Sequence, residues 1–510
     1  RSAGAAMNRT KKFALNATFS AIQQVVVMIV GLITPRVMLQ FYGSEINGLV
    51  ASITQFISYI SLIEAGLSGA AVYSLYKPLA EHDVKGINGV VSAAKRTYTR
   101  LGYVFTGLTL VLAAIYASIV TVQGLSIQEI FFLILVMGVS GAMEFFTMAK
   151  YRVLFTADQK QYILSICTMV GVVLNMVLIV LCAVLHLNIV WLKVIATLSV
   201  FVRSAILAGY MRKRYKYVNF KEKPNMRALD KRWDALYMQI LWNLESGAPI
   251  ILATVFTNMV QVSIYSVYNL VIYGINNVVA IFLSGLSAAF GEIIVMGNRE
   301  QLKKVYSQLL FAFYSILTVL YAVTGVMYMP FMRNYVANLS DSQLYIVPTL
   351  ALLFFINGLL HAVQTPQGMM TIAAGMYRET RIQNSIQAGI LVFGGILLAP
   401  FLGLHGILLA AISANLFRLI DYIIFISRKF EGIGMKETIL HVIRVMVQVG
   451  VVYAIFWFVP LPNNGYLEWA LSALIVLAVS AAIVLLSAVI FNRKDLKNLF
   501  TRLKLLVRRG

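Results

Sequence analysis

The sequence is poor in charge, and poorest in negative charge. Only 12% of its 510 residues are Asp, Glu, Lys or Arg, and 20 acids stand against 42 basic residues. No polar stretch exceeds a few dozen residues, which leaves no room for a separate soluble domain. The two cysteines, Cys167 and Cys182, lie in one apolar run. Their spacing corresponds to roughly 22 Å of helix, too far for a disulfide, so the thiols say nothing about redox compartment. His186, His361 and His405 are scattered with no second ligand at helical spacing, which argues against a metal site. Arg1–Ala6 precede Met7 and are set aside. The polar Asn8–Lys12 then leads straight into a span-length segment, so no cleavable signal peptide is expected.

Apolar sequence is what abounds. Sixty per cent of residues are hydrophobic and the mean hydropathy is +0.81, as in a polytopic membrane protein. An apolar run of about 20 residues spans a bilayer core. Fourteen such runs are present, at 13–41, 47–76, 98–122, 128–150, 162–185, 189–211, 236–257, 263–293, 305–329, 344–374, 382–401, 405–427, 438–459 and 467–491. With the N-terminus cytoplasmic, 36 of the 42 basic residues fall on inner segments and the outer loops hold Arg333 alone. The positive-inside rule therefore puts both termini in the cytoplasm. That placement accounts for the net charge of +22 through topogenic charge beside anionic lipid, and no nucleic-acid surface is needed.

The chain contains an internal repeat. Gly66-Leu67-Ser68 matches Gly285-Leu286-Ser287, Phe155-Thr156-Ala157 matches Ile372-Ala373-Ala374, and Arg203 matches Arg418, all at nearly one offset. The predicted architecture is all-α, with fourteen transmembrane helices. Two six-helix lobes surround a central cavity, and two C-terminal helices are added. The expected domains are a lobe at 7–211, a basic cytoplasmic linker at 212–235 and a second lobe at 236–429. Helices 13 and 14 occupy 438–491, and a basic tail occupies 492–510. The small residues of the repeat, Gly66 with Ala70 and Gly285 with Ala289, suit close helix packing.

Charges inside the spans are the candidate functional residues. Arg203 and Arg418 lie roughly 13–15 Å of helix inside their spans, close to the midplane. An arginine there costs at least ~2.5–3.5 kcal/mol unless hydrated or paired. Two at matching positions are expected to face one another across the cavity, where planar guanidinium groups suit phosphate oxygens. Arg36, after Pro35, fits either the outer mouth or the outer headgroups, and Lys193 fits snorkelling. The buried acids are Glu64, Glu144, Glu245 and Asp421. Asp421 sits three residues from Arg418 and partly neutralises it. Glu64 and Glu245 have no basic neighbour in sequence, so each is either a partner across the cavity or a proton or cation site. Glu292 lies near the inner boundary. Pro249, after Glu245 and Gly247, and Pro366 with Gly368 would permit bends. Asn384 and Gln387 open the eleventh span.

Fourteen helices, two halves and buried arginines resemble the multidrug/oligosaccharidyl-lipid/polysaccharide (MOP) exporters. Ile63-Glu64-Ala65-Gly66-Leu67-Ser68 is similar to helix 2 of the oligosaccharide flippases, and Gly403-Leu404-His405-Gly406-Ile407 to their helix 11–12 turn. The resemblance implies a V-shaped two-lobed fold and alternating access. It implies an undecaprenyl-pyrophosphate-linked oligosaccharide as substrate, in the bacterial cytoplasmic membrane, for O-antigen, capsule or teichoic-acid synthesis. Helices 13 and 14 would form a groove for the lipid tail. Glu245, Asn384 and Gln387 match in type a sodium site of that superfamily, so Na+ or H+ coupling is expected, although the eleventh span holds no acid. The site set is then Arg203, Arg418, Arg36, Glu64, Glu144 and Glu245 for substrate, and Glu64, Glu245, Asn384 and Gln387 for a cation. The chain would act as a monomer among membrane lipids and could associate with polysaccharide polymerase machinery. A cation-coupled multidrug extruder of the same fold is the competing function; the midplane arginines disfavour it because such substrates are cationic. A membrane glycan polymerase or ligase is excluded by outer loops too short to carry a reaction centre.

Overall fold

The structure is a computed structural model that describes residues 9–226, 233–284, 299–376, 378–430, 433–459, 461–491 and 493. These residues form helices and no strands. Gly285-Leu286-Ser287, Glu292, Arg227, Lys231, Arg232 and the tail beyond Arg493 lie outside the described residues.

The helices are α1 (Arg9–Ile60), α2 (Leu67–Ala80), α3 (Val84–Ile119), α4 (Ile127–Met143), α5 (Ala149–Ala157), α6 (Gln161–Val184), α7 (Ile189–Ala196), α8 (Leu198–Arg214) and α9 (Trp233–Phe256). They continue as α10 (Met259–Ser284), α11 (Arg299–Tyr335), α12 (Pro348–Val363), α13 (Thr365–Ala373), α14 (Arg381–Leu402), α15 (Leu404–Lys429), α16 (Met435–Phe458) and α17 (Tyr466–Phe491). Among the described residues, 12 helices are long and apolar enough to cross a membrane. One of them, Ala14–Glu64, contains both the first expected span and most of the second, separated by Gly43 at φ 80°. The seventh expected span coincides with α9, which is not one of the 12.

Local chemistry sets the helix ends. Ser126 accepts from the Glu129 amide while Glu129 accepts from the Ser126 amide, a reciprocal cap that starts α4. Asn188 caps α7. Pro366 sits in the first turn of α13, and the chain breaks at Gln364 just before it. Pro249, by contrast, lies inside a continuous α9.

Several helices stop in one kind of left-handed turn. After α5, Gln159 takes φ 56° and the Lys160 amide bonds the Phe155 carbonyl at 2.8 Å. After α13, Gly375 takes φ 67° and the Met376 amide bonds the Thr371 carbonyl at 2.9 Å. Both are left-handed helix stops of the same pattern, 216 residues apart. Gln159 holds that conformation without being glycine, and its carbonyl is held by Asn16 Nδ2 at 2.9 Å.

The chain divides into two compact units: Arg1–Thr254 with Asn258–Ser263, and Val255–Thr257 with Ile264–Gly510. By this division the change of unit comes in the last turn of α9, after the linker at 212–235. The reason is side-chain chemistry: Tyr59 Oη donates to the Asn243 carbonyl at 3.0 Å, and the Ser52 and Thr254 hydroxyls bond at 2.8 Å. The described part of the linker is fastened to α3. The Asn219 amide donates to Asn88 Oδ1 at 2.9 Å, and the Asn225 amide to the Gly89 carbonyl at 3.0 Å.

The first unit has two apolar cores. One, around Tyr98, Phe105 and Phe155, lies at the end where α2 and α3 meet. The other surrounds Leu49, Ile53 and Ile134. The second unit has a core around Leu310, Tyr321 and Met370 that includes Val445, Val449, Val452 and Val476. α16 and α17 are thus part of that unit's core, although they stand outside the sequence repeat.

At the start of α1, Lys12 Nζ and Lys160 Nζ reach Asp158 at 3.1 and 2.7 Å, and Tyr215 Oη donates to Asp158 Oδ2 at 2.5 Å. Burial alone would raise the Asp158 carboxyl. The bonds from Lys160, Tyr215 and Lys12 outweigh it and hold the group below its ordinary value. This knot ties the first helix, the α5–α6 turn and the end of α8 together.

Candidate functional site

The site begins with two interruptions in otherwise regular helices. α1 ends at Ile60, tightens into a 3₁₀ turn over Ser61–Glu64, and restarts at Leu67. Gly66 makes the restart possible, because its φ of 77° and ψ of −22° lie in the left-handed region that a side chain disfavours. The second interruption is a π turn over Glu144–Met148, between α4 and α5. Each interruption carries one carboxylate.

Arg152 joins them. Its Nη2 donates to both oxygens of Glu64, at 2.8 and 2.9 Å, and its Nη1 donates to Glu144 Oε1 at 3.0 Å. Arg203 Nη1 approaches the other Glu144 oxygen at 3.7 Å. Two guanidinium groups and two carboxylates therefore alternate in a row: Glu64, Arg152, Glu144, Arg203. Their side chains keep between 22% and 30% of their surface exposed. They are neither sealed in the core nor fully exposed.

The π turn explains the alignment. Eight residues of ideal α-helix leave two side chains about 80° apart around the axis. A π turn absorbs about one extra residue and brings such a pair close to alignment. Glu144 and Arg152 are eight residues apart across this turn. Arg203 is placed by a glycine on the neighbouring helix: a Cβ on Gly171 of α6 would stand 3.3 Å from Arg203 Cδ. The bare backbone of α6 gives the arginine stem its channel.

The second unit treats its arginine differently. Arg418 in α15 is 1% exposed. Its Nη1 donates to Asp421 Oδ2 at 2.6 Å, and its guanidinium carbon lies 3.8 Å from the centre of the Tyr422 ring. Its Nε and Nη2 are buried without an acceptor. The expectation that Arg418 presents its guanidinium to a hydrated chamber does not match this placement. The partial neutralisation by Asp421 and the stacking on Tyr422 hold it inside the unit.

Beside it is a cluster of amides. Gln364 and Gln387 both donate to Asn415 Oδ1, at 3.1 and 3.3 Å, and Asn415 donates to Asn357 Oδ1 at 2.9 Å. Gln387 is buried in this cluster and Asn384 is half-buried one turn earlier on α14. Glu245 is half-buried on α9 and belongs to the first unit, whereas Asn384 and Gln387 belong to the second. Arg36 is half-buried on α1. Among the described residues no three or more His, Cys, Asp or Glu side chains come together as metal ligands.

Glu64 is one of two acids with no basic neighbour in sequence, and Arg152 is the partner that the sequence does not reveal. Arg152 reads there as one more topogenic charge at the end of the fourth span. The available signal was its spacing from Glu144 on a continuous apolar helix, but only the π turn makes that spacing a contact.

The second unit also has an apolar cavity of about 300 Å³ between α11, α12 and α16. Tyr328, Met329, Phe355, Leu359, Met446 and Tyr453 are among its walls.

No protein-family model matches the sequence, and no curated protein sequence matches it. Solved structures match its fold. A lipid II flippase, MurJ, in an inward closed conformation superposes with a TM-score of 0.72 at 13% identity, covering 91% of this chain and 98% of that one. An inward-facing multidrug transporter of the MATE family, MOP superfamily, superposes at 0.62 and 14% identity, covering 85% and 98%. The MATE transporter VcmN of Vibrio cholerae superposes at 0.55 and 15% identity, covering 84% and 99%. The chain shares the fold of these structures, and its 12 apolar helices among the described residues make it a multi-pass membrane protein.

Proposed function

We propose that the chain is a flippase. It moves an undecaprenyl-pyrophosphate-linked oligosaccharide from the inner to the outer leaflet of the bacterial cytoplasmic membrane by alternating access, with both termini in the cytoplasm. The product feeds surface-polysaccharide assembly. No covalent bond is made or broken.

The observation that carries this reading is the Glu64–Arg152–Glu144–Arg203 row, four partly exposed charges at the ends of apolar helices. In such surroundings the carboxylates act as stand-ins for an anionic ligand, because an unpaired guanidinium costs several kcal/mol. A pyrophosphate offers the same planar oxygen pairs and can take them over one arginine at a time. Arg203 holds its carboxylate loosely, at 3.7 Å, and is the first to be available. A displaced Glu64 or Glu144 then needs a new counter-charge, a proton or Na+, which would couple transport to an ion gradient. The MurJ-like fold, covering 91% of the chain, supports the same reading.

The test is a proteoliposome assay with a fluorescent undecaprenyl-pyrophosphate oligosaccharide. Flipping that falls on Arg203→Gln and responds to ionophores supports the proposal. Efflux of an organic cation by the same proteoliposomes, without flipping, would establish the second reading. That reading is a cation-coupled extruder whose Glu64 and Glu144 carboxylates bind the drug, and the MATE-like fold favours it.

A further inference from the structure

The first unit carries a second group of cations that the charge row does not use. On α3, Ser92, Lys95, Arg96, Thr99 and Arg100 follow one another at helical spacing, so two hydroxyls and three cations share one face. The linker crosses that face and closes it into an open cavity of about 370 Å³, contributing Phe220, Lys221, Glu222 and Pro224. The linker's course is fixed by hydrogen bonds. Besides Asn219 to Asn88, Ser92 Oγ donates to the Asn219 carbonyl at 3.3 Å.

The charge there is one-sided. Lys95, Arg96, Arg100 and Lys221 face one carboxylate, Glu222. Among the described residues no ion pair involves any of the four cations. Lys150 adds a fifth positive charge at the edge: its Nζ stands 5.8 Å from the Phe220 ring centre and within electrostatic reach of Lys95. Topogenic charge needs only to lie on the correct side of the membrane. It needs neither a cavity nor a linker pinned across it, and gathering like charges around one opening raises their mutual repulsion. An anion with several oxygens removes that repulsion and uses the donors that converge there.

We infer that this cavity is a binding site for a phosphate-class anion, either a phosphomonoester lipid headgroup or a soluble pyrophosphate. It is separate from the membrane-embedded row and does not depend on the flippase reading.

The experiment uses the full chain in nanodiscs of phosphatidylcholine with and without phosphatidic acid, and in detergent with inorganic pyrophosphate. Binding is read by native mass spectrometry and by thermal shift. The variant is Arg96→Gln with Arg100→Gln and Lys221→Gln. A control, Lys85→Gln with Lys213→Gln and Arg214→Gln, removes as many exposed charges outside the cavity. The expected result is retention of one of the two probes by the wild type and the control, weakened about tenfold or more in the cavity variant. Retention of phosphatidic acid alone identifies a lipid source, and of pyrophosphate alone a soluble one. No binding of either probe by the wild type overturns the inference. So does equal loss in both variants, or undiminished binding in a cavity variant that folds with the same thermal midpoint.

Discussion

In the first unit two guanidinium groups share two carboxylates, and all four side chains keep about a quarter of their surface. In the second unit one guanidinium is enclosed, with a carboxylate on one edge and a tyrosine ring against its face. The matching arginines of the repeat have therefore diverged. An exposed, shared arrangement can exchange partners. An enclosed one is fixed by the carboxylate on its edge and the ring against its face. The difference is one of access: the first unit's arginines keep exposed surface and the second unit's keeps almost none.

The comparison can be broken first at Arg152. Arg152→Gln leaves Glu64 without its counter-charge and Glu144 with only the long contact to Arg203. We expect a loss of about 3–5 kcal/mol, read as a lower thermal midpoint, together with loss of transport. Adding Glu64→Gln and Glu144→Gln should restore the midpoint but not the transport. Recovery of both would mean that the row is merely structural.

The next effect belongs to Arg418. Arg418→Gln should cost about 2–4 kcal/mol, because it strands Asp421 and empties the space against Tyr422. Arg418→Lys should not rescue it, since an ammonium loses the planar stack. A lysine variant as stable as wild type would show that the enclosure is not specific.

Arg203→Gln should sharpen the contrast. Its ion pair is long and partly exposed, so stability should change by less than about 1 kcal/mol, while flipping falls about tenfold or more.

The smallest effect is expected at the Asp158 knot. Its carboxyl lies below the ordinary value when folded, so its stabilisation is complete above about pH 4 and disappears as pH falls through the folded-state value. Asp158→Asn should lower stability by about 1 kcal/mol at pH 7 and flatten the acid limb of a melting-versus-pH curve.

Much of the fold was legible, because a bilayer forces long apolar runs and sided charge. Thirteen of the fourteen runs overlap helices long and apolar enough to cross a membrane, and the seventh overlaps α9. The break at Pro366 was also readable. So was the break at Gly43, whose non-helical backbone falls in the gap between the first two runs. The docking of α9 on the first unit was not, since it rests on hydroxyl bonds at Tyr59 and Ser52 that no periodicity reveals. At the site, Glu64, Glu144 and Arg203 were readable because charge inside an apolar run is expensive. Arg152 was not. It lies near the end of its span, where positive charge is ordinary, and only a π turn points it at the acids. The burial of Arg418 was concealed for a related reason: depth along a helix can be counted, but which face the helix buries depends on its neighbours.

On the proposed function, the first unit's row trades carboxylates for an anionic headgroup. The direct measurement is the affinity of purified protein for an undecaprenyl-pyrophosphate oligosaccharide, in wild type, Arg203→Gln and Arg418→Lys, each checked for folding. The account predicts at least about tenfold weaker binding for Arg203→Gln, and wild-type affinity for Arg418→Lys once its stability loss is offset by working at low temperature. Unchanged affinity in Arg203→Gln, with the loss confined to Arg418→Lys, would contradict it.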